Sequence, residues 1–249
     1  MRWKFILGLL TTCAVLMSMS YTMLIPFLPM YLIQDLGVVK ADVDMWSGAI
    51  FAITFLVSGI MAPIWGALAD KKSRKLMALR AGFCLAITYF LGGLVTNPWE
   101  LLGVRFIQGL SAGLWPALLA IISVESPKLK LGFCLGVMQG GMTAGGVLGP
   151  LFGGLLADQF GMRMAFFIAA AALFLITLAL LFFVKEEPRK PDPNAKPVKI
   201  WDFSLCKIPA VKRMLICAGV VQLTILMQQP IMPLYVAELQ GSMERIVLI

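Results

Sequence analysis

The sequence predicts an all-α integral membrane protein: six membrane-spanning helices forming one bundle, then a polar linker and a seventh span. Three observations carry this reading. Of 249 residues, 60% are hydrophobic and 14% charged, with a mean hydropathy of +0.89, against about 45–50% apolar and about 25% charged in soluble domains. Apolar windows long enough to cross a hydrocarbon core of about 30 Å as helices recur along the chain. The cationic residues collect in alternate gaps between those windows. A soluble enzyme is excluded.

The windows lie at 6–32, 46–68, 76–96, 101–123, 132–157, 164–184 and 211–236. The first begins with Arg2 and Lys4 and includes Leu10-Thr11-Thr12-Cys13, yet its apolar run continues well past a signal-peptide core of about 7–15 residues. It is therefore expected to stay as a first span. The second window runs into Asp70, and the third opens among Lys71, Lys72, Arg74, Lys75 and Arg80, cations that are counted with the gap before it. The fourth contains the one cation well inside a window, Arg105, and the fifth is rich in glycine. Residues 185–210 mix charge with proline and read as a linker unable to bury a core. The expected organisation is thus 1–184 as a six-helix bundle, 185–210 as a cytoplasmic linker, and 211–249 as the seventh span and the start of an incomplete second half.

Counting Lys and Arg in alternate gaps gives seventeen on the side of the amino terminus and three on the other. The positive-inside rule then places the amino terminus in the cytoplasm. The net charge of +8 belongs to this topology rather than to a continuous cationic face, so no nucleic-acid partner is expected. Histidine is absent and the five cysteines stand singly. No metal site, disulfide framework or cofactor is predicted, and no nucleophile and base pair suggests an enzyme.

Two internal repeats organise the windows. Pro26-x-x-Pro29-x-Tyr31 with Gly37 beyond it recurs as Pro230-x-x-Pro233-x-Tyr235 with Gly241 beyond it, at an offset of 204 residues. Six spans separate the copies, so they run the same way, as in a parallel repeat about an axis along the membrane normal. Within the first unit, Gly66-Ala67-Leu68-Ala69-Asp70 is echoed by Gly154-Leu155-Leu156-Ala157-Asp158 at an offset of 88, with Arg74 and Arg163 following. Three spans lie between these, which makes an inverted repeat of three plus three helices.

With these motifs in hand, the chain resembles the major facilitator superfamily, and within it the twelve-span drug:proton antiporters. The resemblance rests on Gly66-x3-Asp70-x3-Arg74-Lys75, on Arg105-x2-Gln108-Gly109 and on Gly136-x8-Gly145-x3-Gly149-Pro150-x2-Gly153-Gly154. It implies a gating loop at Gly66, Asp70, Arg74 and Lys75, where the family pattern has glycine in place of Ser73. It implies a proton-coupling role for Arg105 with Gln108; Glu125, at the end of the fourth window, is the acid that could join them. An Arg does not itself release a proton near neutral pH, so Arg105 would tune a neighbouring acid or water. The glycine series on the fifth span resembles the exporter motif, and its four-residue spacing makes a smooth stripe for close helix packing. Soft and aromatic side chains, Met17, Met23, Phe27, Tyr31, Gln108 and Trp115, are candidates for a substrate cavity.

The function expected from the resemblance is proton-coupled export of small hydrophobic or cationic drug-like compounds across the plasma (inner) membrane. The partners expected are the small-molecule substrate, protons and the lipid bilayer. Export of a specific metabolite, such as a sugar or amino-acid derivative, is the alternative; a truncated half inactive alone is another. A repeat of 204 residues calls for about 408 residues in two copies, so a missing second half is expected to be required for transport.

Overall fold

The computed structural model describes residues 2–71, 73–184 and 209–228, apart from the side chains of Arg2, Asp70, Lys71 and 225–228. The linker at 185–208 and the second proline motif, Pro230 to Gly241, lie outside these residues. Every regular element described is helical: α1 (Arg2–Leu24), α2 (Leu28–Gln34), α3 (Val43–Lys71), α4 (Arg74–Leu94), α5 (Pro98–Leu110), α6 (Leu114–Glu125), α7 (Leu131–Phe160), α8 (Met162–Phe183) and α9 (Pro209–Gln228). Short 3-10 turns precede α3 and α7. Among the described residues, six segments are long and apolar enough to cross a membrane: Trp3–Leu24, Lys40–Ala69, Arg74–Leu94, Pro98–Glu125, Lys128–Phe160 and Met162–Phe183. The chain divides into two units, Met1–Ile200 and Trp201–Ile249. The first is the six-span bundle; the second contains α9.

Local chemistry explains the helix ends. Ser73 caps α4, its Oγ accepting from the Leu76 amide at 3.0 Å, and its φ of −75° is open to any L residue. A hydroxyl thus caps the helix at the position where the resemblance implies glycine. At α5, Asn97 Oδ1 accepts from the Glu100 amide at 2.9 Å while Glu100 Oε2 accepts from the Thr96 amide at 2.8 Å. Pro98 sits at the first helical position, where its missing N–H costs nothing.

Two windows expected to be single helices are divided. The first window splits into α1 and α2 at residues 25–27, where Pro26 offers no amide and Pro29 lies in the first turn of the next helix. The fourth splits into α5 and α6 at Ser111, Ala112 and Gly113, and Gly113 takes φ +118°, a conformation that disfavours any side chain. By contrast, α7 continues through Pro150. A further correction concerns Arg80, assigned above to a loop: it lies in the second turn of α4, inside a span.

The apolar core falls into two clusters, one toward each end of the bundle. At the end bearing the amino terminus, Ile6, Leu10 and Cys13 of α1 pack with Met77 of α4, Leu118 and Ile122 of α6, Met138 of α7 and Leu180 of α8. At the other end, Met23, Leu28, Tyr31 and Leu32 pack with Ile50, Tyr89, Leu101, Phe166 and Leu173. Between them lie buried polar residues, Ser18 and Ser20 of α1, Arg105 and Gln108 of α5, and Ser111 at the break.

Glycine determines how closely α1 and α7 approach. A Cβ at Gly145 would collide with the Val15 backbone, at Gly149 with Thr22 and the Met19 carbonyl, and at Gly153 with Met23. Gly141 faces Thr11 in the same row, with a would-be Cβ 2.7 Å from its methyl. The four-residue glycine spacing is therefore the face of α7 that meets α1, with backbones in direct contact. Gly82, Gly92 and Gly93 do the same for α4 against Thr177, Phe166 and Phe167 of α8.

Candidate functional site in a polar belt at mid-bundle

The belt between the two apolar clusters is centred on α5. Arg105 is 7% exposed and donates through Nη1 to Gln108 Oε1 at 3.0 Å, one turn further on. It makes no ion pair with a described carboxylate. A cation inside a span costs about 2.5 kcal/mol or more, so such groups turn inward and find partners. Here the partners are polar and neutral. The hydroxyls of Tyr21 and Tyr89 lie within electrostatic reach of the guanidinium. Tyr21 OH is buried without a partner. Thr54 of α3 bonds the Ile50 carbonyl at 2.9 Å and reaches the Arg105 carbonyl at 3.4 Å. Gly109 lets α5 lie directly on α3, since a Cβ there would stand 2.8 Å from the Thr54 carbonyl.

The residues singled out in the sequence are distributed as follows. Arg105 and Gln108 are joined. Glu125 stands half-buried at the far end of α6, apart from both. Gly66, Arg74 and Lys75 gather at the end bearing the amino terminus; Lys75 Nζ donates to the Leu181 carbonyl at 2.7 Å, tying α4 to the last turn of α8. Asp70 is in the last turn of α3, and its side chain lies outside the described residues. Of the glycine motif, Gly145, Gly149 and Gly153 touch α1 and Gly154 faces Phe27, whereas a Cβ at Gly136 would meet open space. Pro150 is on the exposed side of α7.

The aromatic and sulfur side chains are shared between the two apolar clusters. Met23, Phe27 and Tyr31 belong to one apolar cluster and Trp115 to the other. Tyr31 is fully buried, donating to the Gly92 carbonyl at 3.0 Å and packing on Phe166. Met23 fills the contact with Gly153. Met17 spans the two clusters, half-buried between them.

Tyr21, Tyr89 and Thr54 were missed in the sequence because a lone hydroxyl in an apolar helix has no spacing to mark it. Also missed was a clasp at the break in span four. Trp65 Nε1 donates to the Leu110 carbonyl and Arg80 Nη2 to the Ala112 carbonyl, each at 2.9 Å, with the Arg80 guanidinium 3.3 Å above the Trp65 ring. Carbonyls freed by a broken helix must be satisfied inside a membrane, and here two other helices supply the donors. On the opposite end, Arg163 pairs with Asp35 at 3.2 Å, not with Asp158 of its own repeat.

Six packed spans with a buried cation and a broken helix at mid-depth define a polytopic helical membrane protein built like a carrier. The chain belongs to the major facilitator superfamily, whose family model matches residues 10–247. It is similar to the "Multidrug resistance protein MdtG" of Citrobacter koseri, 38% identical over all of this chain and 61% of the relative. It is 36% identical to the protein of the same name from Yersinia enterocolitica, over 98% of this chain and 59% of that one. The chain thus spans about three-fifths of the length of these curated relatives. In fold it is similar to a bacterial homologue of the human lysosomal transporter Spinster in an inward-facing, unoccupied conformation (TM-score 0.66, 23% identity, 83% of this chain and 48% of that chain). It is also similar to the POT family transporter PepTSo (TM-score 0.64, 14% identity, 76% of this chain and 40% of that chain). The bundle is the amino-terminal six-span half of the major facilitator fold.

Proposed function

We propose that this chain supplies the amino-terminal half of a proton-coupled exporter of small hydrophobic or cationic compounds, working by alternating access against a second six-span half. The observation that carries the reading is the belt around Arg105. A buried guanidinium with only neutral described partners keeps its charge available to a proton-bearing group or to water, and an unpaired Tyr21 hydroxyl adds a donor beside it. Resemblance to relatives named for multidrug resistance supports the substrate class. In this reading Arg105 and Gln108 couple the proton, and Asp70, Arg74 and Lys75 form a gate with the second half, with Gly66 as the small residue beneath it. The glycine row from Gly145 to Gly153 holds α7 on α1 so that the bundle moves as one body. The charge asymmetry supports a multi-pass placement in the inner membrane with the amino terminus in the cytoplasm.

The test is a chimera in which this chain replaces the matching part of the Citrobacter koseri relative. Everted vesicles carrying it should accumulate ethidium when a pH gradient is imposed and release it when the gradient is collapsed. Correct insertion with no dye movement would remove the drug-export reading in favour of a specific metabolite.

A further inference from the structure

The second turn of α4 holds a cation whose charge the described bundle does not balance. Arg80 caps the Ala112 carbonyl and lies on the Trp65 ring. These contacts explain its position, but a carbonyl dipole and an indole face leave a full positive charge within a span. Its Nε has no hydrogen-bond partner, and no ion pair joins it to a described carboxylate. Charges at such depth face cavities and find counter-charges. Beside Arg80 a cavity of about 460 Å³ opens between α3, α4 and α6. Arg74 stands at one side of it, and small residues such as Ala69, Gly113, Ala117 and Ala120 form much of the wall. Its volume is in the usual range for a small-molecule site, and its lining combines the Arg80 guanidinium with mostly apolar residues.

We propose that this cavity binds an amphiphilic oxyanion, with its phosphate or carboxylate group on Arg80 and its apolar part against the alanine wall. Arg80 keeps N–H donors beyond the one on Ala112, in the planar fork that suits such groups. A membrane phospholipid headgroup and a soluble alkyl anion share this chemistry. The site is separate from the Arg105 belt and stands whether or not the chain takes part in drug export. Because the same guanidinium also caps Ala112, an occupant held on its remaining donors is linked through Arg80 to the break in span four.

Native mass spectrometry of the purified chain in a non-ionic detergent tests this, with phosphatidylglycerol, phosphatidylcholine and decyl phosphate as probes. At least one anionic probe should be retained fivefold or more over phosphatidylcholine. Arg80→Gln should abolish that preference, Arg80→Lys should keep part of it, and Arg163→Gln at the opposite end should leave it unchanged. Ala69→Phe, which fills the cavity and keeps Arg80, should abolish it too, which guards against a folding defect in Arg80→Gln. Preference for phosphatidylglycerol over decyl phosphate identifies the lipid source, and the reverse order the soluble one. Equal retention of phosphatidylcholine, or an undiminished preference in Arg80→Gln or Ala69→Phe, overturns the proposal.

Discussion

Arg105 and Gln108 are locked to each other one turn apart on α5, the guanidinium donating to the side-chain carbonyl at 3.0 Å in the buried middle of the bundle. Neither residue reaches a described carboxylate, so each depends on the other for satisfaction. Gln108→Leu should therefore leave Arg105 short of an acceptor and slow gradient-driven dye movement in the chimera at least tenfold. Arg105→Lys, with a compact charge and no planar fork, should also lose most of the activity. Near wild-type rates in both would remove the pair from the coupling step.

The α1–α7 contact predicts a sharp positional contrast. Gly149→Ala places a methyl against Thr22 and the Met19 carbonyl, and overpacking of this kind costs about 1–3 kcal/mol. Gly136→Ala enters open space and should be neutral or slightly stabilising. Thermal unfolding in detergent, followed by exposure of the buried thiols Cys13 and Cys134, reads the difference: a clear fall in midpoint for the first and none for the second.

The clasp at Leu110 and Ala112 should control opening of the span-four break. Trp65→Phe keeps the ring under Arg80 but removes the indole donor, exposing the Leu110 carbonyl. Hydrogen exchange at the α6 amides nearest Gly113 should accelerate severalfold, with the rest of the bundle unchanged. Unaltered exchange there would show that the break is held by packing alone.

Two further substitutions separate buried from exposed polar contacts. Tyr31→Phe leaves the Gly92 carbonyl without its donor and should cost about 1–3 kcal/mol. Asp35→Asn breaks an ion pair whose partners are 41% and 26% exposed, and such pairs contribute about 0–1 kcal/mol. The same unfolding measurement should rank them in that order.

Most of the bundle was legible because hydropathy and helix length are read directly from residue type. The glycine row was legible for the same reason: a spacing of four marks one helix face, and Gly145, Gly149 and Gly153 do form the contact with α1. What hydropathy does not resolve is backbone geometry inside an apolar stretch. Leu110 to Pro116 contains two glycine- or proline-type breakers, Gly113 and Pro116, with Ser111 beside them, and that cluster is the signal that could have located the break. Charge counting assigns any cation near a window edge to the flanking gap, which puts Arg80 in a loop, whereas it lies in the second turn of α4. Only the clasp, which joins residues from α3 and α4 to carbonyls of span four, explains its depth. The polar belt was half legible: Arg105 is conspicuous as a cation in a span, whereas Tyr21, Tyr89 and Thr54 gain meaning only when the helices are packed.

In the proposed function, drug and proton movements are linked through this bundle. Liposomes containing the chimera and an internal pH-sensitive dye can be loaded with ethidium in the absence of any pH gradient. Its outward movement should then drive protons inward, acidifying the interior, and Arg105→Ala should abolish that acidification. Ethidium movement without any change in internal pH, or acidification that persists in Arg105→Ala, would contradict the account.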